Sequence, residues 1–175
     1  MKKAITRGFI LTVSGLFLAS TILAQSPRLS PAATAGGTVK GVRITIDYSS
    51  PAVRGRKIWG ELVPYDKVWR AGANEATLIT IDKDVQVEGK ALPSGKYSLY
   101  AIPGGTEWVI IINSATGQWG INKDGTTTED PAKDVLRVTV KPVACPEFNE
   151  RLIYMVDVNG FSLFWENLKI PVSIK

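Results

Sequence analysis

Apolar and polar residues alternate along several short segments of the chain, which is the pattern of half-buried β-strands. Residues 42–48 (VRITIDY) and 135–140 (VLRVTV) both show this alternation. Residues 109–112 (VIII) are apolar at every position, which predicts a central strand buried on both faces. The residues that this pattern predicts for the core include Ile44, Ile46, Ile110, Ile112, Val138, Val156 and Leu163.

Turn-forming residues separate these segments at short intervals. Asn159-Gly160 is the strongest hairpin signal, because both residues tolerate a positive φ. We therefore predict an all-β fold, an antiparallel β-sandwich of about nine short strands. We prefer the sandwich to the alternative, a closed barrel. The best helical candidate is a turn or two within residues 57–70, which Pro64 interrupts.

The first 24 residues have the pattern of a secretory signal peptide. A basic start with Lys2, Lys3 and Arg7 precedes an apolar run over residues 8–23. A membrane anchor is the alternative, but the run is short for the roughly 20 residues that span a bilayer. Residues 25–37 (QSPRLSPAATAGG) predict a flexible lead-in, and residues 38–175 a single domain. We expect an exported protein, periplasmic or secreted, with no membrane span after cleavage.

Charge gives no reason to expect a polyanionic partner. The chain has 21 basic and 16 acidic residues, a formal charge of +5. Three of the basic residues lie in the predicted signal, which leaves 18 against 16, or +2. Binding to nucleic acid or to anionic lipid needs a clustered basic surface, so neither is expected.

Cysteine and histidine usage limits the chemistry further. Cys145 is the only cysteine and has no partner for a disulfide, so the domain must be stable through its core alone. The chain contains no histidine. This excludes the histidine-dependent nucleophile arrangements and the usual catalytic zinc sites. We expect no cofactor and no metal ion.

Charged and aromatic residues concentrate in one central stretch, residues 47–77. Arginine binds carboxylates and phosphates through paired hydrogen bonds, and aromatic rings stack on the apolar faces of sugars. We also expect Arg70 and Glu75 to form an ion pair across a tight turn at Gly72, with Trp69 packed beneath. The candidate ligand-binding residues are Arg54, Arg56, Trp59, Trp69, Arg70, Asn74 and Glu75.

Three hypotheses follow for the function. The first is a non-catalytic envelope module that binds a small anionic or glycan-like ligand through the central stretch. The second is a carboxylate-dependent hydrolase using a pair from Glu61, Asp66 and Glu75. The third is a structural or interaction domain in which the central stretch plugs one end of the sandwich. Residues 122–134 carry several oxygen ligands, but their spacing does not fit a calcium loop, so we expect a solvated loop there.

Longer motifs resemble a known family. These are GRKIWGELVPYDKVWRAGANEAT, LPSGKYSLYAIPG, EWVIIIN, QWG, DVLRVTVKP and LFWENLKIPVSI. Together they resemble the bacterial domain of unknown function 2911 family over nearly all of the mature chain. The resemblance implies an exported protein of the kind common in Bacteroidetes, built as one all-β domain. It implies no activity, and the sequence departs from the family pattern after QWG, where a tyrosine is expected.

Overall fold

Several strands of this protein lie where the alternation of apolar and polar residues predicts them. A computed structural model describes residues 28–175, so the predicted signal segment lies outside the described residues. Each strand is antiparallel to its neighbours. The strands are β1 (Ala32–Val39), β2 (Val42–Ser49), β3 (Thr77–Ile81), β4 (Val85–Val87), β5 (Lys90–Leu92), β6 (Gly95–Ile102), β7 (Trp108–Asn113), β8 (Asp134–Val140), β9 (Val143–Asp157) and β10 (Gly160–Ser173).

Two layers enclose the core. One layer is a six-stranded sheet in the order β1-β2-β3-β6-β7-β8. Hairpin β9-β10 packs on its inner face and is extended by two bridges, Val87 to Ile174 and Ala52 to Arg151. The all-β, antiparallel prediction is therefore confirmed, and neither layer closes on itself. The opposite face of the six-stranded sheet is called the outer face below.

The predicted core residues lie between the layers. Ile44 and Ile46 of β2 are fully buried, and Val156 of β9 is half-buried against the same core. Strand β7 has a partner on both sides, and its Ile111 is buried on the outer face. The patterns in residues 42–48, 109–112 and 135–140 are all confirmed as strands.

The hairpin near Asn159 is confirmed, but its turn lies one residue earlier than predicted. Asp157 pairs with Gly160, so the turn residues are Val158 and Asn159. Gly160 has a φ of 147°. A Cβ on Gly160 would overlap the carbonyl oxygen of Val172, so a close backbone approach requires glycine there.

Residues 57–70, in which the sequence allows at most a short helical turn, contain no helix. This segment consists of turns, in which Val63 N donates to Ile58 O at 2.9 Å and Gly60 N donates to Val63 O at 2.9 Å. Positive φ values of 84° at Gly60 and 59° at Asp66 interrupt a helix on both sides of Pro64. In residues 28–175 the one helical element is a 3-10 turn at Pro131–Lys133, and no helix is long and apolar enough to cross a membrane.

Strand β1 includes residues 32–37, which the sequence analysis assigns to the flexible lead-in. These residues pair continuously with β2, from Ala32 opposite Ser49 onward. Small residues allow the second layer to approach, because a Cβ on Gly37 would lie 2.9 Å from the Val156 side chain. The ordered sheet therefore begins before Thr38, in a strand that has no apolar alternation to reveal it.

Candidate functional site

Trp59 and Trp69, two of the predicted ligand-binding residues, belong to a buried cluster with Trp108 and Trp165. Trp59 lies edge-on to the other three at ring-centroid distances of 5.0 to 5.9 Å. Trp69 stacks on Trp165 at 5.9 Å. The indole N–H groups of Trp59, Trp108 and Trp165 have no hydrogen-bond acceptor among the described residues, and the neighbouring ring faces are the weak acceptors within reach. This cluster is part of the core and offers no ring to a ligand at the surface.

Arg54 and Arg56 bind backbone carbonyl groups. Arg56 donates from Nε to Val53 O at 3.0 Å and from Nη2 to Ala52 O at 2.7 Å. Arg54 donates from Nη2 to Leu29 O at 2.7 Å. Arg56 therefore holds the turn in residues 52–56, and Arg54 ties that turn to the segment before β1. Their predicted role in ligand binding has no support from these contacts.

The predicted ion pair between Arg70 and Glu75 is wrong. Glu75 instead accepts two hydrogen bonds from Arg28 Nη1, at 2.7 and 3.0 Å, and both side chains are about half exposed. A hydrogen bond from the Glu75 backbone N–H, followed by the bond from Arg28, lowers the pKa of the Glu75 carboxyl. Arg28 lies in the predicted lead-in, far from Glu75 in sequence, so the spacing of residues across the turn could not predict this ion pair.

The turn between Arg70 and Glu75 is bent at other positions than expected. Ala71 and Asn74 have positive φ values of 51° and 57°, whereas Gly72 does not. Gly72 is needed for space, because a Cβ there would lie 2.7 Å from Thr77 Oγ1. Asn74 donates from Nδ2 to the carbonyl of Ser30 at 3.0 Å and therefore fixes the chain that enters β1.

Residues 74–76 pair with residues 118–120, which are distant in sequence. Glu75 and Trp119 form an antiparallel bridge. Gly120 N donates to Asn74 O at 2.9 Å, and Ala76 N donates to the carbonyl of Gln118 at 3.1 Å. The motifs WRAGANEAT and QWG therefore form one local structure.

Arg70 lies on the outer face of the sheet. Trp69 bridges Ala101 in antiparallel register, and both side chains face the core. Because side chains alternate along a strand, Arg70 and its cross-strand neighbour Tyr100 face outward. The Arg70 side chain packs against Gly120, where a Cβ would overlap it.

The Arg70 guanidinium differs from the other two predicted arginines in having no acceptor. Its Nε is buried without a hydrogen-bond partner, and no carboxylate in residues 28–175 forms an ion pair with it. Burial lowers the pKa of Arg70. A cation that is partly removed from water without an anion is unfavourable in free energy, which distinguishes Arg70 from the other candidate residues.

A polar network fixes the chain beside Arg70. Gln118 Nε2 donates to Tyr100 Oη at 2.9 Å and to Ser98 Oγ at 3.1 Å. Thr128 Oγ1 donates to Trp119 O at 2.6 Å and lies 3.3 Å from Tyr100 Oη. The Trp119 side chain is nevertheless 48% exposed. We call Arg70, Tyr100, Gln118, Trp119 and Thr128 the Arg70 platform.

Only Arg70 of this platform is among the predicted site residues. An aromatic residue inside a polar connection was the one signal for Trp119. Tyr100, Gln118 and Thr128 gave none, because their roles depend on pairing between distant segments. A shallow groove of about 200 Å³ lies on the other side of Glu75, between that residue and β1.

The carboxylates proposed for a hydrolase do not form a group. Glu61 pairs with Lys57 at 3.2 Å on the surface, Asp66 lies in an exposed turn and Glu75 binds Arg28. Two other carboxylates do converge, since Glu129 and Asp134 both accept from Arg137, at 2.7 and 2.6 Å.

Burial and then the charge of Asp134 raise the pKa of Glu129, while Arg137 opposes both effects. The Glu129 and Asp134 side chains are only 5% and 11% exposed, so this group ties the start of β8 to the preceding loop. That loop is closed by its own hydrogen bonds, as when Asp124 accepts from Thr126 N at 3.0 Å. No group of three metal-ligating side chains occurs within the described range.

A larger cleft, about 650 Å³, lies elsewhere, between the end of β8 and β10. Its lining carries charges of both signs, including Lys141, Lys169, Glu107 and Asp157. None of the predicted site residues lines it. This cleft therefore gives no support to the candidate site. Its mixed charges do not indicate whether a ligand there would be anionic or cationic.

Comparison with known proteins gives one match. No curated protein and no solved structure matches the chain. The family model described as protein of unknown function (DUF2911) matches residues 30–174. This range includes the described strands and the Arg70 platform, and the chain therefore belongs to the DUF2911 family.

Proposed function

We propose that the protein is an exported, non-catalytic binding module and that the Arg70 platform binds a small anionic ligand, with an acidic sugar as the simplest example. The single observation that supports this is the Arg70 guanidinium, which is half-buried and has no acceptor among the described residues. An anion at the terminal Nη groups, which are not among the buried nitrogen atoms, would pair the positive charge that burial of Nε partly removes from water.

The contrast with Arg56 supports the choice of residue. Two nitrogens of Arg56 are already bonded to backbone carbonyl groups. The Arg70 terminal amino groups make no such bond to the described residues, and its side chain is held in place by Gly120. A fixed donor binds a ligand with a smaller loss of side-chain entropy.

Trp119 supports a glycan-like ligand. Its ring is half exposed while its backbone is held by Thr128 and by the bridge to Glu75. A rigid, exposed indole ring stacks on the apolar face of a sugar at low entropic cost.

Binding is tested by calorimetric titration of the purified protein with D-glucuronate and with D-glucose. Replacement of Arg70 by alanine removes a charge-assisted interaction of about 1.5 to 3 kcal/mol, so Kd should rise about 10- to 100-fold. Arg43→Ala is the matched control, because Arg43 is an exposed arginine of β2. Equal affinities for glucuronate in the wild type and Arg70→Ala would contradict the proposal.

Export is tested separately. The intact mass of the protein from the bacterial envelope should begin at Gln25 or within a few residues of it. A full-length form retained in the inner membrane would contradict export and leave the binding result unaffected.

The hydrolase hypothesis now depends on Glu129 and Asp134, whose carboxylates share Arg137. Their burial and shared cation favour a structural role. Release of product from nitrophenyl glycosides by the wild type, and its loss in Glu129→Gln, would establish the hydrolase in place of the binding module.

A further inference from the structure

The outer face carries an apolar row directly beside the row that contains Arg70. The antiparallel bridge between Trp69 and Ala101 places Val68 opposite Ile102. Ile102 in turn pairs with Val109 of β7. These three side chains therefore cross three neighbouring chain segments on one face.

Geometry gives the dimensions of this surface. Residues two apart on a strand are separated by roughly 6.5 Å and neighbouring strands by about 4.8 Å. The apolar row is therefore about 10 Å long and lies about 6.5 Å from the Arg70 row. A small molecule can reach both.

The two rows differ in what covers them. In the Arg70 row, Tyr100 and Ile111 are fully buried, and Gln118 is bonded to Tyr100. In the adjacent row, Val68, Ile102 and Val109 are only partly buried, against the cluster that contains Tyr100 and Ile111. The segment that covers the first row therefore leaves apolar surface open beside Arg70.

We propose that the ligand of the Arg70 platform is a small amphipathic carboxylate, whose anionic group binds Arg70 while its apolar body covers Val68, Ile102 and Val109. This inference rests on the proposed function and names the ligand class. Arg70 lies two residues from Val68, at one end of the apolar row, so a molecule with one anionic end and an apolar body can contact both. The ligand is a free molecule rather than a membrane surface.

The first test compares carboxylates of increasing length on the full protein. Sodium acetate and sodium octanoate, below the micellar concentration, are titrated calorimetrically. Each buried methylene contributes about 0.8 kcal/mol, or roughly fourfold in Kd, so octanoate should bind at least about 50-fold more tightly than acetate. Octanoate should also bind far more tightly than 1-octanol, which lacks the charge.

Single substitutions separate the two ends of the ligand. Val109→Thr keeps the side-chain shape but replaces one methyl group with a hydroxyl, so it should weaken octanoate binding about fivefold and leave D-glucuronate binding unchanged. Val143→Thr is the matched control, because Val143 is exposed on β9, and it should change neither affinity. Arg70→Ala should weaken octanoate and leave octanol unchanged.

The outcomes distinguish this inference from the proposed function. If glucuronate binds through Arg70 while octanoate binds no better than acetate, the amphipathic ligand is wrong and the proposed function stands. If neither binds in an Arg70-dependent way, both are wrong. Octanoate binding that Val109→Thr does not weaken overturns the inference. Binding to vesicles of phosphatidylglycerol without binding to octanoate also overturns it, in favour of a membrane partner.

Discussion

Trp69 and Arg70 are adjacent in sequence but belong to opposite faces of the same sheet. Trp69 is buried in a cluster of aromatic rings between the layers. Arg70 lies on the outer face against Gly120, with no acceptor for its guanidinium. One motif therefore supplies both a stabilising core residue and a cation without an acceptor. The sequence alone does not distinguish these two roles.

The tryptophan cluster and the Arg70 platform differ in the hydrogen bonding of their polar atoms. Inside, the indole N–H groups have only ring faces within reach, and burial of large apolar surface outweighs that loss. Outside, Gln118, Tyr100 and Thr128 satisfy one another, while Arg70 does not share in their hydrogen bonds. Changes in the first region should affect folding, and changes in the second should affect binding.

The largest expected effect follows replacement of Trp59 by alanine. Trp59 is edge-on to three other indole rings, so its removal leaves a cavity at the centre of the cluster. The free energy of unfolding should fall by about 3 to 5 kcal/mol, which lowers Tm by roughly 6 to 20 °C. Calorimetry measures this loss. A Tm within about 2 °C of the wild type would mean that Trp59 lies outside the core.

The next effect joins the two regions through Gly120. In Gly120→Ala the new Cβ would overlap the Arg70 side chain and displace it, at a cost of about 1 to 3 kcal/mol in unfolding free energy. Gly105→Ala is the control, because nothing lies within 4 Å of a Cβ at that position. Urea denaturation compares the two variants. Equal stabilities would contradict the packing of Arg70 on Gly120.

A smaller effect is expected at Arg28 and Glu75. This ion pair is half exposed, so a double-mutant cycle with alanine should give a coupling energy of no more than about 1 kcal/mol. The pKa of Glu75 is lowered in the folded state, so its contribution is present above its ordinary pKa of about 4.3 and is lost as pH falls below that value. Urea denaturation at pH 7 and pH 3 measures both. A coupling of Glu75 to Arg70 instead of Arg28 would restore the pair that the sequence suggested.

The smallest effect on stability is expected for Arg70→Met. Methionine keeps the unbranched stem that packs on Gly120 but removes the desolvated charge, so stability should change by no more than about 0.5 kcal/mol or should rise. Thermal unfolding without ligand checks this. A fall in Tm of more than about 6 °C would show that the guanidinium has a structural partner.

The sequence predicted the parts of the fold that depend on local patterns. Strands β2 and β8 followed from alternation, β7 from a run that is apolar at every position, and the β9-β10 hairpin from its turn residues. Strand β1 escaped detection because its small residues make a backbone ladder without an apolar stripe. Residues 57–70, the best helical candidate, contain no helix because positive φ values at Gly60 and Asp66 bend the chain away from one.

The candidate site was less predictable because it depends on contacts between distant segments. Nothing near Glu75 in sequence indicates that Arg28 is its partner. The pairing of residues 74–76 with 118–120 likewise has no local signature. The local concentration of charged and aromatic residues placed Arg70 among the candidates. Only the three-dimensional structure distinguished it from Arg54 and Arg56, whose guanidinium groups bind backbone carbonyls.

The most direct test of the account is NMR detection of the arginine Nε–H groups during titration with D-glucuronate. The Arg70 Nε is buried, which slows exchange of its proton with water, and Arg70→Lys assigns its resonance by removing it. If Arg70 binds the ligand, the Arg70 resonance should shift saturably while the Arg54 and Arg56 resonances stay unchanged. An Arg70 resonance that stays in place at saturating ligand, or a shift confined to Arg54 and Arg56, would contradict the account.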